Sequence, residues 1–132
     1  MSTFNTLEEA CEFFEKDRFA TINGMKMTEL TDTVCVAEMS ITDDHRNAIG
    51  GIMGGVIFTL CDFAFAGLIN NIHSPSVAID SNIKFLSASK GVRLTAKAEL
   101  VRTGRTTTVA CVRVTDEFDK KIALFTATGY KC

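Results

Sequence analysis

The apolar positions of this chain change period along its length. Between Thr6 and Asp17, the residues Leu7, Ala10, Cys11 and Phe14 recur at helical spacing, and Thr6 with Glu9 has the spacing of a capping box, so a short helix is predicted there. From Lys26 the period drops to two. Cys35, Ala37, Met39 and Ile41 alternate with Val34, Val36, Glu38 and Ser40, the pattern of a half-buried strand. A second alternation sets Val77, Ile79, Ser81, Ile83 and Phe85 against Ala78, Asp80, Asn82 and Lys84. Leu94 to Arg102, Thr106 to Thr115 and Ile122 to Tyr130 predict three more strands. Thr103-Gly104-Arg105 reads as a tight connection, and Glu117-Phe118-Asp119-Lys120 as the turn of the last hairpin. Such short connections favour an antiparallel sheet.

Between the two β-rich regions lies a segment of a different kind. From Asn47 to Ile79 the only formal charge is Asp62. Gly50, Gly51, Gly54 and Gly55 open the segment, and Val56 to Asn70 follows as a helix that is apolar on nearly every side. A helix of that kind is buried all round. A membrane span would need about 20 apolar residues, and the run from Val56 to Ile69 is shorter, with Asp62 near its middle. The pattern therefore points to an α+β fold in which a curved antiparallel β-sheet wraps around one long central helix.

At 132 residues the chain is expected to form a single domain, residues 1–132, large enough for a real core. Hydrophobic residues make up 46% and charged residues 23%, which excludes a disordered or collagen-like chain. A net charge of −2 gives no basic footprint for nucleic acid. Cys11, Cys35, Cys61, Cys111 and Cys132 are odd in number and contain no C-x-x-C pair, which argues against both a metal site and a disulfide framework. A reducing cytoplasm is the expected compartment, and no signal peptide is visible at the start of the sequence. Met25, Met27, Met39 and Met53 read as packing, and Cys61 as core.

Candidate chemistry centres on Asp62. An ionised carboxylate in an apolar helix must neutralise or find donors, and its helical neighbours Phe58, Thr59, Phe65 and Ala66 offer no positive charge. It is either a structural acid held by a nearby donor or a functional one. Gly54 and Gly55 stand where the helix begins, and a helix N-terminus offers free N–H groups and a positive dipole end. Those donors suit a developing oxyanion, as acyl transfer requires. Gly54 and Asp62 are nevertheless about 12 Å apart along one helix, at 1.5 Å per residue. A base and an oxyanion donor must both lie within about 3 Å of one reacting group. Two chains with antiparallel central helices satisfy both distances, so joint catalysis by these residues implies a two-fold dimer with shared sites.

The run His45-Arg46-Asn47-Ala48-Ile49-Gly50-Gly51-Ile52-Met53-Gly54-Gly55, followed by Leu60-Cys61-Asp62, resembles the signature of hotdog-fold thioesterases of the phenylacetic-acid-degradation (PaaI) type. That signature is H-x-N-x-x-G-x-x-H-G-G with an acidic residue on the central helix, and the order of elements agrees over nearly the whole chain. The resemblance implies a hotdog fold and an acyl-CoA thioesterase without a separate cofactor, coenzyme A being part of substrate and product. It implies Asp62 as general base or nucleophile, Asn47 as the residue that positions water or substrate, and Gly54 as oxyanion donor. Met53 and Gly55 flank that donor. Phe85 and Ser87 fall where the family lines the pantetheine channel, and Arg102, Gly104, Arg105 and Thr106 belong to the loop that meets coenzyme A. A homodimer, assembled further as a dimer of dimers, is the implied association, with neither nucleic acid nor membrane as partner. The acyl group, aromatic or medium-chain, stays open.

Two residues depart from the family pattern. Met53 stands where histidine is usual, and a thioether donates no hydrogen bond. Ala78 replaces a serine or threonine that assists the water in some relatives. Both departures favour a rival reading, a non-catalytic acyl-CoA-binding module of the same fold. A hydratase or dehydratase ranks lower, because the helix carries no histidine to pair with its acid. His45 is expected to be an exposed loop residue, and His73 a helix cap or surface residue.

Overall fold

The computed structural model describes residues 2–132. Among them the chain forms three α-helices and one six-stranded sheet. The order is α1 (Leu7–Phe14), α2 (Arg18–Ile22), β1 (Lys26–Leu30), β2 (Val34–Ser40), a 3-10 turn at Asp43–His45, α3 (Gly54–Ile72), β3 (Ser76–Phe85), β4 (Arg93–Thr103), β5 (Thr107–Asp116) and β6 (Lys121–Lys131). The sheet runs β1-β2-β4-β5-β6-β3 with every neighbouring pair antiparallel. This is the hotdog architecture: a curved antiparallel sheet around one long helix.

Local sequence explains the elements. Thr6 caps α1 by accepting from the Glu9 N–H at 3.1 Å, and Ala10 and Phe14 are the buried members of its apolar face. Along β2, Cys35, Ala37 and Met39 are buried while their neighbours are not. Asp116 organises the β5–β6 turn, its carboxylate accepting from the Phe118 and Lys120 N–H groups and from the Ser89 hydroxyl. Inside the sheet, α3 packs Leu60, Phe65 and Leu68 against the strands without exposed surface. Each such side chain contributes about 1.5–3 kcal/mol through burial. β6 reaches the helix closely because Gly129 has no side chain; a Cβ there would lie 2.7 Å from Ile69 Cδ1.

Four expectations are corrected. The first helical segment stops at Phe14 and a separate helix, α2, follows Asp17, because Asp17 breaks the run and starts a new turn. α3 spans 19 residues, longer than the predicted Val56–Asn70, and is long and apolar enough to cross a membrane by length and composition. Length therefore does not argue against a span; what this fold shows is that 61% of the helix's most apolar window is buried by the chain itself. His45 is buried rather than exposed. Finally, the β3 alternation marks a strand, but its apolar positions are only partly covered: Ile83 packs against the core, while Val77, Ile79 and Phe85 are 52%, 59% and 56% exposed. Among the described residues β3 pairs only with β6 and so leaves a ten-residue free edge.

Candidate active site

The glycine-rich stretch before α3 is shaped by two side chains. Asn47 Oδ1 accepts from the N–H groups of Ile49 and Gly51 at 3.1 and 3.0 Å, and its backbone N–H donates to Gly51 O at 2.8 Å. Gly50 takes φ +86°, a conformation that favours glycine. The carboxamide oxygen of Asn47 is thus committed to the loop, and its Nδ2 is the group left to meet a ligand. His45 fixes the other end. Its Nδ1 accepts from the Thr42 N–H at 3.0 Å, so the proton sits on Nε2, which donates to Asn23 Oδ1 at 3.1 Å. The His45 carbonyl accepts from the Met53 N–H at 2.9 Å and sets the start of α3. Sequence reasoning missed this pair of anchors. The Thr42-x-x-His45 spacing was its local signal; Asn23 had none.

Met53 is the N-cap residue of α3, with no side-chain capping bond, and its thioether is half exposed. Val56 and Ile57 donate back to the Met53 carbonyl. The Gly54 and Gly55 N–H groups find no acceptor among the described residues. They are two of the orphan donors that every helix start leaves. Gly54 lines a groove of about 440 Å³ together with Asn47, Phe85 and Ser87, its floor closed by Ile57 and Ile122. Phe85 packs on Gly54, and Ser87 donates its hydroxyl to the Lys121 carbonyl. Four of the residues expected at the site therefore meet in one groove, with Met53 and Gly55 beside it on the helix start.

Asp62 is not in that groove. It lies two turns along α3, half-buried, on the face it shares with Gly55, Thr59 and Ala66. Burial pushes its carboxyl above the usual range, and the nearby Asp17 carboxylate adds to the rise. No hydrogen bond or cation among the described residues offsets this. The adjoining Cys61 is fully buried and its thiol is pushed up to about 12 by burial, with Asp62 contributing; it is inert core, as expected.

Arg102, Gly104, Arg105 and Thr106 form the β4–β5 hairpin at the far end of α3. His73, the C-cap residue of α3, holds this hairpin through Nε2, which donates to the Gly104 carbonyl at 2.8 Å. Both arginines are exposed. The expected site residues thus fall into three places in one chain: the groove at the start of α3, Asp62 on its middle, and the hairpin at its end. Among the described residues no three His, Cys, Asp or Glu side chains cluster as metal ligands would.

Comparisons with known proteins bear on the family and the fold. Residues 49–123 match the thioesterase superfamily. The acyl-coenzyme A thioesterase PaaI of Escherichia coli is 28% identical over 125 residues, covering 94% of this chain and 89% of that protein. The structure of the E. coli PaaI protein from the phenylacetic acid degradation operon superposes with a TM-score of 0.89 at 27% identity, covering 95% of this chain and 91% of that one. A hypothetical thioesterase of Streptococcus pneumoniae, solved with coenzyme A, superposes with a TM-score of 0.83 at 28% identity, covering 90% and 94%.

Proposed function

This chain belongs to the thioesterase superfamily, and we propose that it hydrolyses acyl-CoA thioesters at sites shared between two copies. One observation carries the reading. Asp62 is a half-buried carboxylate with no partner among the described residues, and the free N–H donors it would work with lie about 12 Å away along the same helix. An antiparallel pair of α3 helices brings Asp62 of one copy to Gly54 of the other. The free β3 edge supports such a pair. A long apolar edge strand is a template for another strand, and two β3 strands pairing about a two-fold axis continue the sheet and set the helices antiparallel. α3 is roughly 28 Å long at 1.5 Å per residue. The Arg102–Thr106 hairpin at its end then faces the groove at the start of its partner.

In this arrangement Asp62 takes a proton from water, and the resulting hydroxide attacks the thioester carbonyl carbon. The carbonyl electron pair moves to oxygen and is held by the Gly54 N–H of the other copy. Collapse breaks the C–S bond, and the departing thiolate takes up the proton from Asp62. The raised carboxyl makes Asp62 a stronger base than a solvated aspartate. Direct attack by Asp62 through a mixed anhydride uses the same groups. Asn47 Nδ2 positions water or substrate, and Met53 and Gly55 flank the reacting carbonyl. Phe85 and Ser87 line the pantetheine path. Arg102 and Arg105 meet the phosphates with forked donors, on a loop shaped by Gly104 and Thr106. No cofactor is assigned, and the five free cysteines fit a reducing cytoplasm.

A second reading rests on Met53. Its side chain is exposed at the groove and donates nothing, which suits a module that binds acyl-CoA without cleaving it. One experiment separates the two. Purified protein and its Asp62→Ala variant are incubated with a panel of acyl-CoAs, and intact thioester is followed by mass spectrometry. Turnover by the wild type that is lost in Asp62→Ala is expected. Tight binding with no turnover of any acyl-CoA would favour the binding module. Sedimentation of the same samples reads the dimer and the dimer of dimers.

A further inference from the structure

Residues 42–53 join β2 to α3 and carry both Asn47 and the approach to the helix start. Their hydrogen bonds are almost wholly their own. The Met53 N–H closes the base of the loop on the His45 carbonyl, Arg46 bridges to Ile52 above it, and Asn47 closes the tip on Gly51. Among the described residues, one hydrogen bond alone ties residues 42–53 to any residue outside 42–57. It runs from His45 Nε2 to Asn23 Oδ1, at 3.1 Å. The other anchor is apolar, with Ile52 packed against the core.

Asn23 is the C-cap residue of α2 and is half-buried. Its carboxamide is oriented from both ends: Nδ2 donates to the Phe19 carbonyl at 2.8 Å, which turns Oδ1 to His45. His45 is buried and its Nδ1 is taken by the Thr42 N–H, so its Nε2–H depends on Asn23 for an acceptor. The pair lines a polar hollow with Ser40, Thr42 and Asp44, and that hollow shares no lining residue with the groove at Gly54. Neither side chain therefore touches that groove, yet both reach it through the backbone. His45 holds the Met53 N–H. The Met53 carbonyl accepts from Val56 and Ile57 at 3.0 and 3.4 Å. That carbonyl and the Gly54 N–H belong to one planar peptide unit and point opposite ways, so fixing one aims the other.

We infer that Asn23 is a positioning residue for the hydrolysis: through His45 it fixes the Met53–Gly54 peptide and with it the aim of the Gly54 N–H. This rests on the oxyanion role given to Gly54 above. Such a donor acts only when it lies about 2.7–3.1 Å from the place the oxyanion will occupy. Its bond strengthens in the transition state, so a misdirected donor lowers kcat and leaves substrate binding alone. A misplacement of about 1 Å, caused far from the chemistry, can cost about 10²-fold. Asn23 is placed for that effect: it holds the one polar tether of the loop and stands outside the groove.

The test measures kcat and KM, with the acyl-CoA that the wild type turns over fastest, for Asn23→Leu, His45→Asn, Gly54→Pro and the double variant of Asn23→Leu with Gly54→Pro. Calorimetry checks that each is folded. Asn23→Leu keeps the size of the side chain and removes the acceptor. His45→Asn breaks the same bond from the other side, and its amide oxygen can still accept from the Thr42 N–H. Both are expected to lower kcat at least about tenfold while KM stays within about threefold. Gly54→Pro removes the N–H that Asn23 serves, so adding Asn23→Leu to it is expected to cost no more than about twofold further. A residue that only held the fold together would cost the same factor in both backgrounds, and that result would overturn the inference. So would an unchanged kcat in folded Asn23→Leu, or a rise in KM at constant kcat. Asn23 is half-buried at a helix end, so Asn23→Leu carries the test if His45→Asn does not fold. If Gly54→Pro is impaired and the two losses multiply, the inference alone is wrong. If Gly54→Pro keeps its kcat, or the wild type turns over no acyl-CoA, the parent reading fails and the inference falls with it.

Discussion

Gly54→Pro deletes the proposed oxyanion donor and little else. Gly54 is the first residue of α3, and its N–H makes no hydrogen bond among the described residues, so the fold loses none there. Proline is favoured at that position. Met53, before it, has φ −63° and ψ 132°, the extended geometry that a residue preceding proline prefers. Replacing glycine also narrows the unfolded ensemble, worth about 0.4–1 kcal/mol in favour of the fold. Against this stands one contact: a Cβ at residue 54 lies 3.0 Å from Phe85 Cζ. The Phe85 ring is 56% exposed and free to swing. The two terms nearly cancel, so stability should stay within about 1 kcal/mol, a few degrees in Tm. Activity should not follow stability. Removing one oxyanion donor costs about 10²–10³ in kcat, or about 2.7–4 kcal/mol. Gly54→Ala is the control, since it adds the same Cβ and keeps the N–H; its kcat should lie well above that of Gly54→Pro. The assay is steady-state turnover of an acyl-CoA by mass spectrometry, alongside calorimetry. If Gly54→Pro keeps kcat within about threefold of the wild type, under 1 kcal/mol of barrier, the oxyanion assignment is wrong.

Further outcomes follow from other contacts. Because burial raises the Asp62 carboxyl, the folded chain holds that proton more tightly than the unfolded chain, and stability from this group falls as pH rises from the ordinary carboxylate range through the raised value. Asp62→Asn should therefore gain stability relative to the wild type as pH rises from the ordinary carboxylate range, read by urea melts; a constant difference would contradict it. His73→Ala removes the 2.8 Å bond to the Gly104 carbonyl, worth about 1 kcal/mol, and should raise KM for acyl-CoA several-fold while kcat holds. A fall in kcat at constant KM would separate the hairpin from coenzyme A binding. Ile79→Lys places a charge on the free β3 edge, where Ile79 is 59% exposed. Sedimentation should show monomers and turnover should vanish with them; an active monomer would end the shared-site reading.

The strands were legible because each needs only a half-buried alternation, and Cys35 to Ile41 supplies one without ambiguity. The long helix was legible from its lack of charge, although glycines at its start hid its true first turn. α2 was not, since five residues are too short to show a helical period. The burial of His45 was only half visible: the Thr42-x-x-His45 spacing is local, but its other partner, Asn23, lies 22 residues upstream and carries no local mark. β3 shows a different limit. Its alternation predicted a strand correctly, yet Val77 and Ile79 are left exposed among the described residues. Of the candidate site residues that the family resemblance implied, one groove gathers Asn47, Gly54, Phe85 and Ser87.

These limits converge on Asp62. The chain's own sheet covers one side of α3, where Leu60, Cys61, Ala64 and Leu68 have no exposure. The other side, with Gly55, Phe58, Thr59, Asp62 and Ala66, is half-buried or exposed. A carboxylate on that second face could be neutralised by a lysine or arginine, but an opposite charge would lower its pKa and weaken it as a base. Complete burial without donors would keep it protonated and equally unable to accept a proton. A backbone N–H from a second helix start, directed at the substrate oxygen, stabilises the oxyanion and adds no full charge beside Asp62. Under the proposed reading that requirement would fall to two features left unused among the described residues: the orphan N–H groups at Gly54 and Gly55, and the unpaired edge of β3.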